Sequence, residues 1–161
     1  MLKIILAAVF VWIAVHLFLW SYLKRRIARA KAEQAAAPPV DAEGGCHCGA
    51  VRYRITTKPH VTVTDCNCSM CSKSGYLHLI LPHSDFTLLT PRSALSSYRF
   101  CTGAAEHLFC KSCGVKSFYQ PRSHPDCWSV NFRCLDEGHG LIEIIQPFDG
   151  KNWEEARAQL T

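Results

Sequence analysis

The sequence lacks features that would assign it to several common classes of small protein. Beyond residue 40 it has no excess of charge, because twelve Lys and Arg are matched by twelve Asp and Glu. A nucleic-acid-binding domain normally has a basic face, so this balance disfavours a nucleic-acid partner. The chain also has no internal repeat, and its ten cysteines in 161 residues are too few for a typical disulfide-stapled scaffold.

Seven of the ten cysteines fall into three short clusters: Cys46 and Cys48, then Cys66, Cys68 and Cys71, then Cys110 and Cys113. Cysteines separated by one or two residues are poor disulfide partners for each other, but they readily bind one metal ion. A structural zinc site takes four protein ligands, and a catalytic site usually takes three and leaves one position open. Seven cysteines therefore predict two zinc ions per chain, one in a closed site and one in an open site.

The closed site is predicted to join the first and last clusters. Cys110 and Cys113 have the spacing of a zinc knuckle, and Gly114 follows them with the backbone freedom that such turns often need. Cys46 and Cys48 are the natural pair to complete a four-thiolate site. Such a site would tie the start of the domain to its middle.

The middle cluster is predicted to form the open site. Cys66, Cys68 and Cys71 supply three thiolates within six residues, and no fourth ligand is close in sequence. Asp65 is a candidate to hydrogen-bond one of the ligands. An open position on zinc can lower the pKa of a bound thiol or water and polarise an oxygen. The alternative is a second structural site, completed by a distant Cys or His.

The other cysteines and the histidines show no metal-binding spacing. Three isolated cysteines are interpreted as small buried apolar residues: Cys101, Cys127 and Cys134. His47 is interpreted as a turn residue that points away from the metal. Five further histidines are interpreted as structural or surface residues: His78, His83, His107, His124 and His139.

The N-terminal segment is predicted to be a transmembrane anchor. Residues 4–23 carry no formal charge, and twenty helical residues span about 30 Å, the thickness of a bilayer core. Five cations follow between residues 24 and 31, which predicts a single-pass protein whose C-terminal domain faces the cytoplasm and whose flank meets lipid headgroups. A cleaved signal peptide would have a shorter apolar region and a cleavage site. Residues 1–40 are therefore interpreted as anchor, basic flank and linker.

Residues 41–161 are predicted to form one mainly β domain. Alternating or short apolar runs predict strands at 51–55, 78–81, 86–89, 98–100, 107–109, 115–119, 128–132 and 141–145. One helix is predicted at the C-terminus, with Asn152 and Glu155 as a capping box and an apolar face of Trp153, Ala156 and Leu160. With many loops and a modest core, the domain is expected to need zinc for folding.

Three stretches together resemble one known family: Gly44-Gly45-Cys46-His47-Cys48-Gly49, Asp65-Cys66-Asn67-Cys68-Ser69 with Cys71, and Phe109-Cys110-Lys111 with Cys113-Gly114. They resemble the glutathione-dependent formaldehyde-activating enzyme family over about residues 44–157. The stretch 114–123 and the run 134–138 look closest to the branch that contains centromere protein V. That branch implies chromatin or microtubule association, which the neutral domain disfavours.

The resemblance implies a β-tent fold of short twisted sheets and a zinc-dependent reaction at a carbon–sulfur bond. It implies structural zinc at Cys46, Cys48, Cys110 and Cys113, and catalytic zinc at Cys66, Cys68 and Cys71. The implied substrate is a small thiol or thiol adduct, as in the condensation of glutathione and formaldehyde to S-hydroxymethylglutathione. Arg122 and Arg133 are candidates to bind a substrate carboxylate. The alternative function is a noncatalytic zinc-binding interaction module at a membrane.

Overall fold

The computed structural model describes residues 2–159 and divides the chain into two compact units, Met1–Ala37 and Pro38–Thr161. The first unit is a single helix, α1 (Leu2–Ala36). The second unit is mainly β and ends in a short helix. Leu160, predicted to be part of the apolar face of that helix, lies outside the described residues.

The predicted transmembrane anchor is wrong. Among the described residues, no helix is both long enough and apolar enough to cross a membrane. The predicted single-pass location with a cytoplasm-facing domain is wrong for the same reason. The predicted contact of the basic flank with lipid headgroups depended on this anchor and is not supported.

The second unit contains two β-sheets. A three-stranded antiparallel sheet has the order β1-β2-β5, and a seven-stranded sheet has the order β10-β3-β4-β9-β8-β7-β6. The strands are β1 (Val40–Gly45), β2 (Arg52–Thr57), β3 (His60–Cys66), β4 (Leu77–Pro82), β5 (Phe86–Leu88), β6 (Leu95–Tyr98), β7 (Glu106–Cys110), β8 (Phe118–Gln120), β9 (Cys127–Asn131) and β10 (Ile142–Phe148).

The sequence pattern explains which faces of these strands are buried. In β2, Tyr53 and Ile55 are fully buried while Arg54 between them is exposed, as expected for a strand with one face on the core. Most pairings in the larger sheet are antiparallel, but β10 pairs in parallel with β3 over the full length of both strands. This parallel pairing brings the end of the chain beside the middle cysteine cluster, because Phe148 lies opposite Cys66.

Two helices of the second unit are short. The helix α2 (Ser69–Ser74) follows β3 and begins with Cys68 as its N-cap residue. The helix α3 (Trp153–Ala156) has Asn152 at its N-cap, but the side chain of Asn152 does not cap it. Its amide instead donates to Asp149 Oδ2 at 2.7 Å. The predicted capping box with Glu155 is therefore not formed.

The buried residues form two clusters that correspond to the two cysteine sites. The larger cluster runs between the sheets, includes the fully buried Tyr53, Ile55 and Val63, and also contains Cys46 and Cys110. The smaller cluster consists of Cys66, Cys71, Tyr76 and Tyr119. The sheets thus place one group of thiols against the main core and the other against a small aromatic core.

Candidate functional site

The first and last cysteine clusters lie together. The sulfur atoms of Cys46, Cys48, Cys110 and Cys113 are all within 4.8 Å of one another. Cys48 Sγ lies 3.6 Å from the sulfurs of both Cys46 and Cys110, far longer than the ~2.05 Å of a disulfide bond. All four are free thiols. The structure thus joins residues more than 60 positions apart into one four-thiol group.

Backbone turns hold these four thiols in place. Gly49 and Gly114 adopt positive φ values of 79° and 74°, and their amides close turns on the carbonyl oxygens of Cys46 and Cys110. The amide of Val51 also donates to Cys46 Sγ at 3.2 Å. Hydrogen bonds from backbone amides lower the pKa of Cys113 to about 6. These hydrogen bonds favour the thiolate of Cys113, and the thiolate is the form that binds a metal ion.

The middle cluster surrounds the start of α2. Cys66 is the last residue of β3, Cys68 is the N-cap of α2, and Cys71 lies in the first turn, where its amide donates to Cys68 Sγ at 3.5 Å. Cys66 and Cys71 are 8% and 6% exposed. Hydrogen bonds from the thiols of Cys66 and Cys71 lower the pKa of Cys68, whereas hydrogen bonds with Cys66 and Cys68, together with burial, raise the pKa of Cys71. A negative charge in this cluster is therefore favoured at Cys68.

The structure adds a histidine to this cluster that the sequence interpretation missed. His78 is buried, and its Nε2 lies 3.1 Å from Cys71 Sγ. The donor atoms of Cys66, Cys71 and His78 are all within 4.8 Å of one another. Its Nδ1 lies 3.0 Å from Ser129 Oγ, which orients the ring as outer partners commonly orient a metal-binding histidine.

No spacing rule finds His78, because strand pairing and not sequence proximity places it. Thr64 in β3 is paired with His78 in β4, which returns the chain past Cys66. The available signal was a single imidazole in the otherwise apolar run Leu77-His78-Leu79-Ile80-Leu81. His78 is buried, so of the two alternatives, structural or surface, the structural one remains. Its ring lies beside the sulfurs of Cys66 and Cys71 as a donor that the local sequence does not show.

A loop after β10 packs closely against the middle cluster. Asn67 accepts a hydrogen bond from the amide of Lys151 at 3.0 Å and donates to Asp149 Oδ1 at 2.8 Å. A Cβ atom at Gly150 would collide with Cys66 Sγ, so only glycine permits this approach. Asp65, the predicted hydrogen-bond partner of a ligand, is exposed on the strand face opposite Cys66.

A cavity of about 470 Å³ opens beside the middle cluster. Cys66, Cys68, Cys71 and His78 form part of its wall. The volume is in the range of small-molecule sites. The four-thiol group lines no part of this cavity, since none of its cysteines is among the wall residues. The two cysteine groups therefore differ in their access to a small molecule.

The two arginines predicted to meet a substrate carboxylate occupy different places. Arg122 lines the cavity, and its guanidinium stacks 4.2 Å from the ring centre of Trp153, which also lines it. Lys151 is a second cation in the wall. Arg133 is exposed and is not among the wall residues. The structure thus brings Arg122, but not Arg133, to the cavity beside the thiols.

A buried cation lies behind the middle cluster. Lys116 Nζ stands 4.5 Å and 4.0 Å from the ring centres of Tyr76 and Tyr119, and it has no hydrogen-bond partner among the described residues. Burial lowers the pKa of Lys116 to about 8, against the opposing attraction of the thiolates. Burial and this cation lower the pKa of His78 to about 4. The imidazole is therefore neutral near pH 7, which is the form that binds metal.

The isolated cysteines lie outside both groups. Cys127 and Cys134 are partly buried, as small apolar residues can be. Cys101 is exposed, contrary to the sequence interpretation, and it lines the cavity with a backbone φ of 50°.

Comparison with known proteins identifies the family. The model of the family described as "Glutathione-dependent formaldehyde-activating enzyme" matches residues 41–150. The chain belongs to this family. The matched range contains all seven clustered cysteines, His78 and Arg122. These matches show the family. They do not show that the chain belongs to the branch that contains centromere protein V.

Two relatives agree with this assignment. A Halomonas elongata protein, whose name provisionally assigns it to the glutathione-dependent formaldehyde-activating enzymes, is 32% identical over 79 residues, covering 44% of this chain and 50% of the relative. The matched part thus spans half the length of that relative. A crystal structure of a Rhodobacter sphaeroides protein is also similar, with a TM-score of 0.53 and 32% identity over 60% of this chain and 88% of the other.

Proposed function

We propose that this chain is a zinc-dependent carbon–sulfur lyase-like enzyme that acts on a thiol–aldehyde adduct such as S-hydroxymethylglutathione. The observation that carries the proposal is the cavity of about 470 Å³ with Cys66, Cys68 and Cys71 in its wall. Family membership supplies the substrate class, since the family is described by glutathione and formaldehyde. A thiol group beside a cavity of small-molecule size fits such a substrate.

The side chains present fit zinc at both cysteine groups. Thiolates and a neutral imidazole are the donors that zinc prefers, and carboxylates, which favour magnesium and calcium, are absent from both donor sets among the described residues. We assign one ion to Cys46, Cys48, Cys110 and Cys113, and a second to Cys66, Cys68 and Cys71. When bound at the second group, zinc would supply Lewis acidity and lower the pKa of a thiol.

The residues of the cavity then have separate tasks. Arg122 and Lys151 are positioned in the wall to bind the carboxylates of a glutathione-like thiol. In the forward reaction, the thiol sulfur forms a bond to the aldehyde carbon, and the proton of the thiol ends on the aldehyde oxygen. The reverse reaction breaks the same bond. Holding both reactants beside one another accelerates either direction by removing the need for a chance encounter.

His78 favours a second candidate function. Its Nε2 lies 3.1 Å from Cys71 Sγ and within 4.8 Å of Cys66 Sγ, so these three side chains form a donor set to which Cys68 would add a fourth ligand. A zinc ion with four protein ligands is typical of a structural site. The second candidate is therefore a noncatalytic zinc-binding interaction module in which both metal sites hold the fold.

Turnover measurements separate the two candidates. The purified full chain is assayed with a panel of thiols and aldehydes, by following adduct formation and cleavage by nuclear magnetic resonance. The enzyme proposal expects acceleration by the wild type, loss of acceleration in Cys68→Ser, and little change in the control Cys127→Ser, whose cysteine lies outside both groups. If zinc-loaded wild type accelerates no pair in the panel, the enzyme proposal fails and the module remains.

A further inference from the structure

His107 is a polar side chain in the cavity wall that has no partner. It lies in β7, it is 6% exposed, and neither ring nitrogen has a hydrogen-bond partner among the described residues. Buried polar atoms are nearly always hydrogen-bonded, and an unpaired one destabilises the fold. A residue that keeps two unpaired nitrogens beside a cavity therefore needs an explanation.

Aromatic stacking fixes the plane of this imidazole. Tyr119 stacks on one side with ring centres 4.8 Å apart and an interplanar angle of 13°. Phe100 stacks at 5.1 Å and 21°. The stack follows from the sheet, because His107 in β7 is paired with Tyr119 in β8 and with Tyr98 in β6. Stacking explains why an aromatic ring stands here, but a phenylalanine would stack equally well, so it does not explain the nitrogens.

The surroundings identify the side from which a partner can come. Phe100, His107 and Tyr119 all line the cavity that contains the thiols of the middle cluster. Phe100 is 37% exposed, whereas Tyr119 is 8% exposed, so the Phe100 side of the stack is the more accessible one. Burial and the nearby Lys116 lower the pKa of His107 to about 4. The ring is therefore neutral near pH 7, with one nitrogen that donates and one that accepts.

We propose that His107 contacts the substrate and hydrogen-bonds the hydroxyl oxygen of the thiol–aldehyde adduct. This inference rests on the proposed function and adds a specificity-determining residue to it. A hydroxyl group both donates and accepts, so it can pair with either nitrogen of a neutral imidazole. The substrate thus supplies the hydrogen bond that the folded chain lacks. A site that hydrogen-bonds a hydroxyl also discriminates against analogues without one.

His107→Phe tests this proposal, because it keeps the stack and removes only the two nitrogens. The binding of S-hydroxymethylglutathione, maintained with excess formaldehyde, is compared with that of S-ethylglutathione, which replaces the hydroxyl with a methyl group. We expect the variant to lose about tenfold in affinity for the hydroxymethyl conjugate and to bind the ethyl conjugate unchanged. We also expect it to be at least as stable as the wild type, because two unpaired polar atoms are removed.

Ser117→Ala is the matched control. Ser117 is 1% exposed and its hydroxyl also lacks a partner among the described residues, but it does not line the cavity. Its replacement should stabilise the chain in the same direction and leave both affinities unchanged. If it weakens binding as much as His107→Phe does, the effect of His107 is transmitted through the fold and the proposal is overturned.

The remaining outcomes separate this proposal from the proposed function. If the wild type binds both conjugates and His107→Phe binds the hydroxymethyl conjugate equally well, His107 has no role in recognition and only this inference is overturned. The same conclusion follows if the variant loses affinity equally for both conjugates. If the wild type binds neither conjugate, the proposed function fails and takes the inference with it.

Discussion

Replacement of the buried Lys116 with methionine should stabilise the protein at neutral pH. The ammonium group has no hydrogen-bond partner among the described residues. Instead it makes cation–π contacts with the rings of Tyr76 and Tyr119. Burial lowers the pKa of Lys116 from 10.5 to about 8. At 1.36 kcal/mol per pKa unit, keeping the lysine charged in the fold costs about 3 kcal/mol.

Removing the charge avoids this cost, but it also removes the favourable contacts between the ammonium group and the two tyrosine rings. Contacts between a cation and aromatic rings contribute roughly 0.5–2 kcal/mol, and methionine cannot replace them. The net expectation for Lys116→Met is a rise of about 2 kcal/mol in the free energy of unfolding at pH 7. Methionine has a similar length and adapts its shape, so packing against the tyrosines should be kept.

The pH dependence gives a second test of the same reasoning. Between pH 8 and 10.5 the unfolded chain holds a proton on this lysine that the folded chain has released, so the wild type becomes more stable as pH rises. The advantage of Lys116→Met should therefore be constant below about pH 8 and shrink towards pH 10.5.

The assay is urea denaturation of zinc-loaded full-length protein at pH 7 and at pH 9.5, with zinc content measured in parallel. Lys73→Met is the matched control, because Lys73 is exposed in α2 and its replacement should change the free energy by less than about 0.5 kcal/mol. A variant that is less stable than the wild type at pH 7, or whose advantage does not shrink at pH 9.5, would refute the reasoning.

Three further predictions concern the cavity. Arg122→Ala should raise the KM for glutathione about tenfold, through loss of one carboxylate contact, while Arg133→Ala should leave it unchanged; steady-state kinetics decide this. Gly150→Ala places a methyl group against Cys66 Sγ, so metal analysis should show about one zinc fewer per chain. Since burial lowers the pKa of His107 to about 4, acidification from pH 6.5 to 5 should destabilise the wild type more than His107→Phe, measured by urea denaturation.

Features that depend on the spacing of nearby residues could be predicted from the sequence. Turns in which two cysteines are separated by one or two residues direct both sulfurs to one side, so the grouping of Cys46 and Cys48 with Cys110 and Cys113 followed from knuckle spacing and the need for four donors. The mainly β character followed in the same way from alternation, as in β2, where the alternating residues divide between core and solvent.

What the sequence could not predict depends on strand pairing. His78 reaches Cys71 because β4 pairs with β3, and Gly150 reaches Cys66 because β10 lies parallel to β3. In both contacts the two residues are far enough apart in sequence that no spacing motif predicts that they meet. Arg122 and Arg133 could not be separated for the same reason, since only the folded sheet shows which of them lines the cavity.

The N-terminal error has a different cause. Length, the absence of charge and the scarcity of polar residues in residues 4–23 predicted a membrane span, whereas among the described residues no helix is both long enough and apolar enough to cross a membrane.

The four-thiol group is proposed to hold the fold, and the middle cysteine group is proposed to serve the reaction. Thermal unfolding of Cys113→Ser and Cys68→Ser, with zinc content measured on the same samples, tests this difference most directly. The four-thiol group joins distant segments, so Cys113→Ser should lower the unfolding temperature severely or prevent folding. The middle cysteines close only a short loop, so Cys68→Ser should lose one zinc ion and unfold near the wild-type temperature. Equal destabilisation of the two variants would contradict the account, because the middle group would then be structural as well.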